Sequence, residues 1–508
     1  MSLQIPHRPR PNGDHHGATK AVILVSPSRA SNPTDNGHKY DNCNSDNPFV
    51  RRLAAHLEAL VSDLFPSTSP RFVYDPIACW PHSIGWPSSI PPSWAATCNC
   101  NNIGLTIPPQ PLFDVAGHPI IHHCLTAISK VPSIHEVYLI GYYDESVFRD
   151  FLKDASSDFP NLSIKYLREY QALGTAGGLY HFRDAILKGK PERLFVLNSD
   201  VCCSFPLNEM LKLFTEKYAE AVILGTRVST EAATNFGCIV SDNHTKRVLH
   251  YVEKPEGHIS NLINCGVYLF STDVIFPSIK SAIKRRADRP RLASYASNEN
   301  LESSFVLDQD DEDDDESKSQ IIRLEQDILS DMADSKQFFV YETKDFWRQI
   351  KTAGSAVPAN ALYLQQARQN GSKELTEPSA NIIPPVFIHP SAHIDPTAKL
   401  GPNVSVGPRA TIGRGTRVKE SIVLEDAEIK HDACVMYSIV GWGCKVGAWA
   451  RVEGTPLPLT SHTTSIVKNG VKVQSVTILG KECGVRDEIR VQNCVCLPYK
   501  ELKRVSTS

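Results

Sequence analysis

No apolar run in the chain approaches the twenty or so residues needed to cross a bilayer, which excludes a membrane-spanning helix. The opening residues, MSLQIPHRPRPNGDHHG, are polar and proline-rich and lack the apolar segment of a secretory signal. The expectation is a cytoplasmic protein with reduced thiols and no membrane partner. Its 14 cysteines include no pair at zinc-finger spacing with a second pair to complete a site; Cys98-x-Cys100 and Cys494-x-Cys496 read as incidental. There is no excess of positive charge: the net charge is −3, which excludes an electrostatic nucleic-acid binder. A glycine-rich loop is missing as well. Lys20 to Val25 (KAVILV) reads as a central parallel strand, yet it runs into SPSRAS.

A chain of 508 residues is long enough for two or three domains. Residues 1–19 read as a disordered tail. Residues 26–108 hold three of the six tryptophans (Trp80, Trp86, Trp94), many prolines and four cysteines, with one helix-like piece, Phe49 to Leu64. They are an atypical insertion, either flexible or foreign to the rest of the fold. From Pro109 onward short apolar strands alternate with amphipathic helices, the pattern of βαβ units around a parallel sheet. Phe236–Val240 and Val248–Val252 suggest a hairpin, and Asn264–Phe270 another strand. Residues 285–320 form a low-complexity loop, basic and then acidic. Ile321–Met332 looks helical, Gln337–Thr343 a strand, and Asp345–Asn370 a helical connector that closes an α/β domain over 20–370.

The organising stretch is Arg168 to Val201. Gly174-Thr175-Ala176-Gly177-Gly178 precedes a helix-patterned run from about Leu179 to Leu187, and an apolar strand, Leu194–Leu197, ends on Asn198-Ser199-Asp200. Small residues before a helix let backbone N–H groups approach a phosphate or a base. A carboxylate just past the carboxyl end of a buried strand sits where open α/β sheets bind ligands. Two readings stay open: a nucleotide pocket with Asp200 as a metal ligand, or a glycine-rich turn with an aspartate capping the next helix.

The end of the chain is periodic. Ile388, Ile394, Leu400, Val406, Ile412, Val418 and Leu424 fall six apart, and the pattern resumes at Ile429, Val435, Val440, Val446 and Val452. One aliphatic per six residues fits a triangular coil with that side chain pointing inward, a left-handed parallel β-helix of hexapeptide repeats over 384–508. His389, His393 and His431 show no catalytic pattern, so a structural and oligomerising role is expected.

LGTAGG, NSDV, VEKP and NCGVY followed by a hexapeptide helix resemble the sugar-nucleotide pyrophosphorylases, and most of all the eukaryotic mannose-1-phosphate guanylyltransferases. GTAGGLYHFRD, INCGVYLFS, IRLEQDIL, WRQIKTAGSA and SIVGWG…VGAWARVEGTP look like the α-type regulatory subunit of that family rather than its catalytic β-type. The resemblance implies a Rossmann-like nucleotidyltransferase domain that binds GDP-mannose, GTP or mannose 1-phosphate. Leu173, Gly174, Thr175, Ala176, Gly177 and Gly178 then match the base-binding loop. Glu169 is placed to accept from guanine N1–H and its amino group. Glu253 and Asn264 match sugar-contacting positions, Lys254 the sugar-phosphate lysine, and Asp200 one aspartate for Mg²⁺. Three departures oppose turnover. The family's GGxGTRxxPLT loop is absent after Val25, with Ser28-Arg29 as a remnant. Pro109-Gln110-Pro111 replaces Pro-Lys-Pro. Trp347-Arg348-Gln349-Ile350-Lys351 replaces Trp-x-Asp-Ile-Gly, so the second metal site is lost at Gln349, and Arg348 and Lys351 add positive charge beside it.

The resemblance thus implies weakened Mg²⁺ binding and a regulatory subunit. Such a subunit would assemble with a catalytic β-type partner through the β-helix and use its extension, Gly454–Val476, for contacts. An active guanylyltransferase is the alternative. An exchange-factor subunit for translation initiation, built on the same two-domain plan, is the third.

Overall fold

The structure, a computed structural model, describes residues 18–25, 110–287, 321–468 and 470–503. The readings for residues 1–17, for the 26–108 insertion with its Ser28-Arg29 remnant, and for 288–320 lie outside these residues. The chain divides into two compact units, one drawn from 1–26, 124–198 and 205–344, the other from 27–123, 199–204 and 345–508.

The first unit is built on a nine-stranded sheet. Thr19–Val25 is buried along its whole length and lies between Ile134–Gly141 and Arg193–Asn198, parallel to both, with Ile23 opposite Leu139 on one side and Leu197 on the other. Ser163–Arg168 adds beyond Ile134–Gly141, again parallel. Leu262–Ser271 pairs antiparallel with Arg193–Asn198 and carries Ala221–Arg227, which in turn pairs with Phe338–Glu342. Gly237–Ser241 and Val248–Glu253 form the expected hairpin at the edge.

An apolar run with no polar alternation is what a strand covered on both faces requires, and VILV is buried on both. The order among the parallel strands reverses between Thr19–Val25 and Arg193–Asn198. In open α/β sheets the crevice at the carboxyl ends beside such a reversal is the ligand site. Residues 285–287 close the helix Thr272–Ala287 rather than opening a loop. Leu324–Ile328 is a single π turn that passes into a short α turn, Leu329–Met332, in place of one regular helix.

The second unit contains three stacks of parallel strands, with six, six and five members. This is the stacking of a left-handed parallel β-helix. Its interior ladders are Ile394, Ile412, Ile429 and Val446 on one face and Leu400, Val418, Val435 and Val452 on another. Each fully buried aliphatic of this kind contributes roughly 1.5–3 kcal/mol relative to an exposed one.

The third ladder corrects the six-residue count. Val423, not Leu424, stands between Val406 and Val440. Leu424 is equally buried but packs with Ile422, Ile350, Val357 and Leu364 in a separate cluster outside the coil. Period alone cannot tell an inward aliphatic from its outward neighbour when both faces are covered. The connector is also corrected. Trp347–Gln349 is a strand pairing antiparallel with Val201–Cys203, and the helix begins only at Ala356 and runs to Gln369.

Candidate functional site

The loop after Ser163–Arg168 carries most of the anticipated residues, all in the first unit. The helix starts at Gly174, not near Leu179, and spans Gly174–His181 before Arg183–Ile186 takes over. Gly174 has φ +78°, and a Cβ there would strike the Ile322 carbonyl. The Ala176 and Gly177 amides donate to that same carbonyl at 3.1 and 3.2 Å, and Ile322 N–H returns a bond to Leu173 O at 2.9 Å. These two amides are therefore occupied from within the chain, against the expectation that they face a phosphate. Smallness here serves the close approach of the 321–322 segment. It also admits Glu169, whose carboxylate lies where a Cβ on Gly178 would be.

Burial pushes the Glu169 carboxyl up to about 7, and among the described residues it has no hydrogen-bond partner. A half-buried acid with open acceptor positions suits a ligand that brings paired N–H donors.

A second group lies on the hairpin and the long strand. Tyr251 Oη donates to Glu253 Oε2 at 2.8 Å, and Asn264 Nδ2 donates to Tyr251 Oη at 3.1 Å and to Tyr268 Oη at 2.9 Å. Tyr268 Oη donates to Glu325 Oε1 at 3.2 Å, while Thr175 Oγ1 donates to Glu325 Oε2 at 3.2 Å. Burial first, and then the Glu253 and Glu325 carboxylates respectively, hold the Tyr251 and Tyr268 hydroxyls protonated far above the usual phenol range, so both remain donors. The network thus joins Glu253, Asn264 and Thr175, three anticipated positions, through Glu325.

Glu325 is not singled out by the sequence, where Ile321–Met332 reads as an ordinary helix. The π turn re-aims it, and no local pattern announces that. Lys254 is exposed, has φ +47°, and has no side-chain hydrogen bond or ion pair among the described residues. A non-glycine residue in left-handed backbone is uncommon and points a side chain where an extended strand would not.

Asp200 belongs to the second unit, two residues beyond Arg193–Asn198 in the chain. Its carboxylate accepts from Gln349 Nε2 at 2.7 Å, and its carbonyl accepts from Ile350 N–H at 2.8 Å. It does not cap the next helix, Leu207–Glu216, whose cap position is Pro206. An amide N–H thus stands against the carboxylate where a second carboxylate ligand was sought. Among the described residues no group of three His, Cys, Asp or Glu side chains could hold a metal. The donor set does not fit a two-carboxylate magnesium site.

Gln110 donates its side-chain amide to Ile350 O, so it braces backbone where the family motif has a lysine. The Arg348 guanidinium does not add charge beside Asp200. It is buried and donates to the carbonyls of Ser461 at 2.8 Å and Leu459 at 3.4 Å.

The sheet with its order reversal, the loop helix and the appended β-helix define a nucleotidyltransferase with a hexapeptide C-terminal domain. The family model for nucleotidyl transferases matches residues 104–364, and that for the GMPPB C-terminal domain matches 382–508. A Schizosaccharomyces pombe protein named "Probable mannose-1-phosphate guanyltransferase" is 48% identical over 398 residues, covering 78% of this chain and 92% of that one. Proteins named "Mannose-1-phosphate guanylyltransferase regulatory subunit alpha-A" from Danio rerio and "regulatory subunit alpha" from Sus scrofa are each 44% identical, covering 78–79% of this chain and 92–93% of theirs. The chain belongs to the mannose-1-phosphate guanylyltransferase family. Among the described residues no helix is long and apolar enough to cross a membrane.

Proposed function

We propose that this chain is a regulatory, α-type subunit in GDP-mannose biosynthesis. It binds GDP-mannose or GTP and controls a catalytic β-type partner in the cytoplasm. The hydrogen bond from Gln349 to Asp200 carries this reading. Phosphoryl transfer depends on charge neutralisation at the phosphates, and removing one such charged group commonly takes away about 3 kcal/mol of transition-state stabilisation, roughly a hundredfold in rate. Glu169 supports guanine recognition, and Lys254, with no partner among the described residues, supports a sugar phosphate. Glu253 and Asn264 serve the same ligand as positioning groups. The β-helix and the extension over 454–476 provide the assembly surface for homo- or hetero-oligomers.

The deciding assay follows pyrophosphate release from GTP and mannose 1-phosphate with Mg²⁺, using the chain alone and with a β-type subunit. Expected are negligible turnover alone, and turnover that GDP-mannose inhibits when the partner is present. Robust release by the chain alone replaces this reading with an active guanylyltransferase. Failure of the two subunits to co-purify removes the regulatory role.

A further inference from the structure

Between the β-helix strands Arg451–Glu453 and Thr477–Leu479 the chain leaves the coil for the 454–476 extension, and that extension is tethered along its length. At its foot, Asn493 Nδ2 donates to Gln474 O at 3.2 Å and Ser475 O at 2.8 Å, while Thr455 Oγ1 donates to Asn493 Oδ1 at 3.1 Å. Further out, Ser465–Lys468 and Val471–Gln474 form an antiparallel hairpin in which Val467 is 74% exposed. Between foot and hairpin, the chain meets the Trp347–Gln349 strand. Arg348 bonds the Leu459 and Ser461 carbonyls, the Trp347 ring centroid lies 5.8 Å from that of His462, and the Gln474 side-chain amide lies against Gly354.

The Arg348 contact is unusual in its chemistry. The residue is 3% exposed, and among the described residues it pairs with no carboxylate. Burial lowers the pKa of the guanidinium, which nonetheless keeps its proton at any ordinary pH. A cation so placed needs fixed dipoles around it. Those dipoles are two carbonyls of a segment with no regular secondary structure of its own at 459 and 461. The charge therefore selects one placement of that segment out of many.

We infer that Arg348 is a positioning residue that clamps the root of the 454–476 extension and holds the hairpin in one orientation for docking onto the partner subunit. An arm that is already ordered loses less conformational entropy when it binds. The functional half of this inference rests on the regulatory reading above. The clamp itself does not.

The test has two arms on the full chain. Hydrogen exchange compares wild type with Arg348→Met, which keeps the aliphatic bulk, and Arg348→Lys, which keeps the charge and can reach one carbonyl. Arg348→Met should raise exchange at least tenfold at the Ser461 and Ser475 amides and across the hairpin. The Val418, Val435 and Val452 ladder should stay protected, and Arg348→Lys should restore part of the difference. Unchanged exchange in the extension overturns the clamp. So does loss of protection throughout the β-helix, because Arg348 would then be general support.

The second arm measures the affinity of each variant for a β-type subunit, with an expected weakening of about tenfold in Arg348→Met. A loosened extension with unchanged affinity overturns the docking half and leaves the regulatory reading standing on wild-type assembly. Wild type that fails to bind the partner removes the regulatory reading, and the exchange result still judges the clamp.

Discussion

Replacing Gln349 by glutamate keeps the shape and changes one atom's chemistry. In the native chain Nε2 donates to Asp200 Oδ2 at 2.7 Å. In Gln349→Glu an oxygen takes that position, and two carboxylates face each other at hydrogen-bond distance. If both ionised, the repulsion at an effective dielectric of about 20 would be roughly 6 kcal/mol. Sharing a proton avoids it. Holding a glutamate of ordinary pKa protonated at about pH 7 costs about 3.7 kcal/mol, and this sets the ceiling. The ceiling falls by about 2.7 kcal/mol by about pH 5, because each pH unit is worth about 1.4 kcal/mol.

The variant should therefore be about 2–4 kcal/mol less stable than wild type at neutral pH and within about 1 kcal/mol of it at pH 5. Millimolar Mg²⁺ should recover stability in the variant alone, because only there do two carboxylates face a common point. Denaturant unfolding at both pH values, with Mg²⁺ or with chelator, measures all of this. A variant as stable as wild type at neutral pH in chelator would refute the reasoning, since it would mean that Gln349 does not lie against Asp200.

Glu169 sets a second pH dependence of opposite use. Its folded pKa of about 7 lies above the ordinary carboxylate value of 4.5, so the unfolded chain ionises first and the fold loses up to about 3 kcal/mol as pH rises from about 4.5 to 7. Glu169→Gln should remove that loss. The variant should be more stable than wild type above neutrality, equal to it below about pH 4.5, and weaker for GTP above about pH 7, where Glu169 is ionised, with the binding difference shrinking as pH falls below that value, as unfolding curves and nucleotide titration would show. Gly174→Ala must place a Cβ at φ +78° and against the Ile322 carbonyl, and should cost about 2–4 kcal/mol and loosen the Ala176 and Gly177 amides in hydrogen exchange.

The α/β unit, the β-helix and the family could be read from the residues because each rests on a local rule. A strand buried on both faces must be apolar throughout, as Ala21 to Val25 is, and a triangular coil must repeat an aliphatic once per side. The candidate residues Glu169, Gly174, Glu253 and Asn264 were legible through motif resemblance. Their partners were not. Tertiary structure alone decided that the Ala176 and Gly177 amides are taken by Ile322, and that Glu325 joins Thr175 to Tyr268 and, through it, to Asn264. It also decided that Val423 rather than Leu424 faces the coil. Arg348 leaves the neighbourhood of Asp200 for the 459–461 carbonyls, while Gln349 beside it stays. Hydrogen bonds and packing across more than a hundred residues of chain depend on which elements meet in space, and periodicity and spacing carry no record of that meeting.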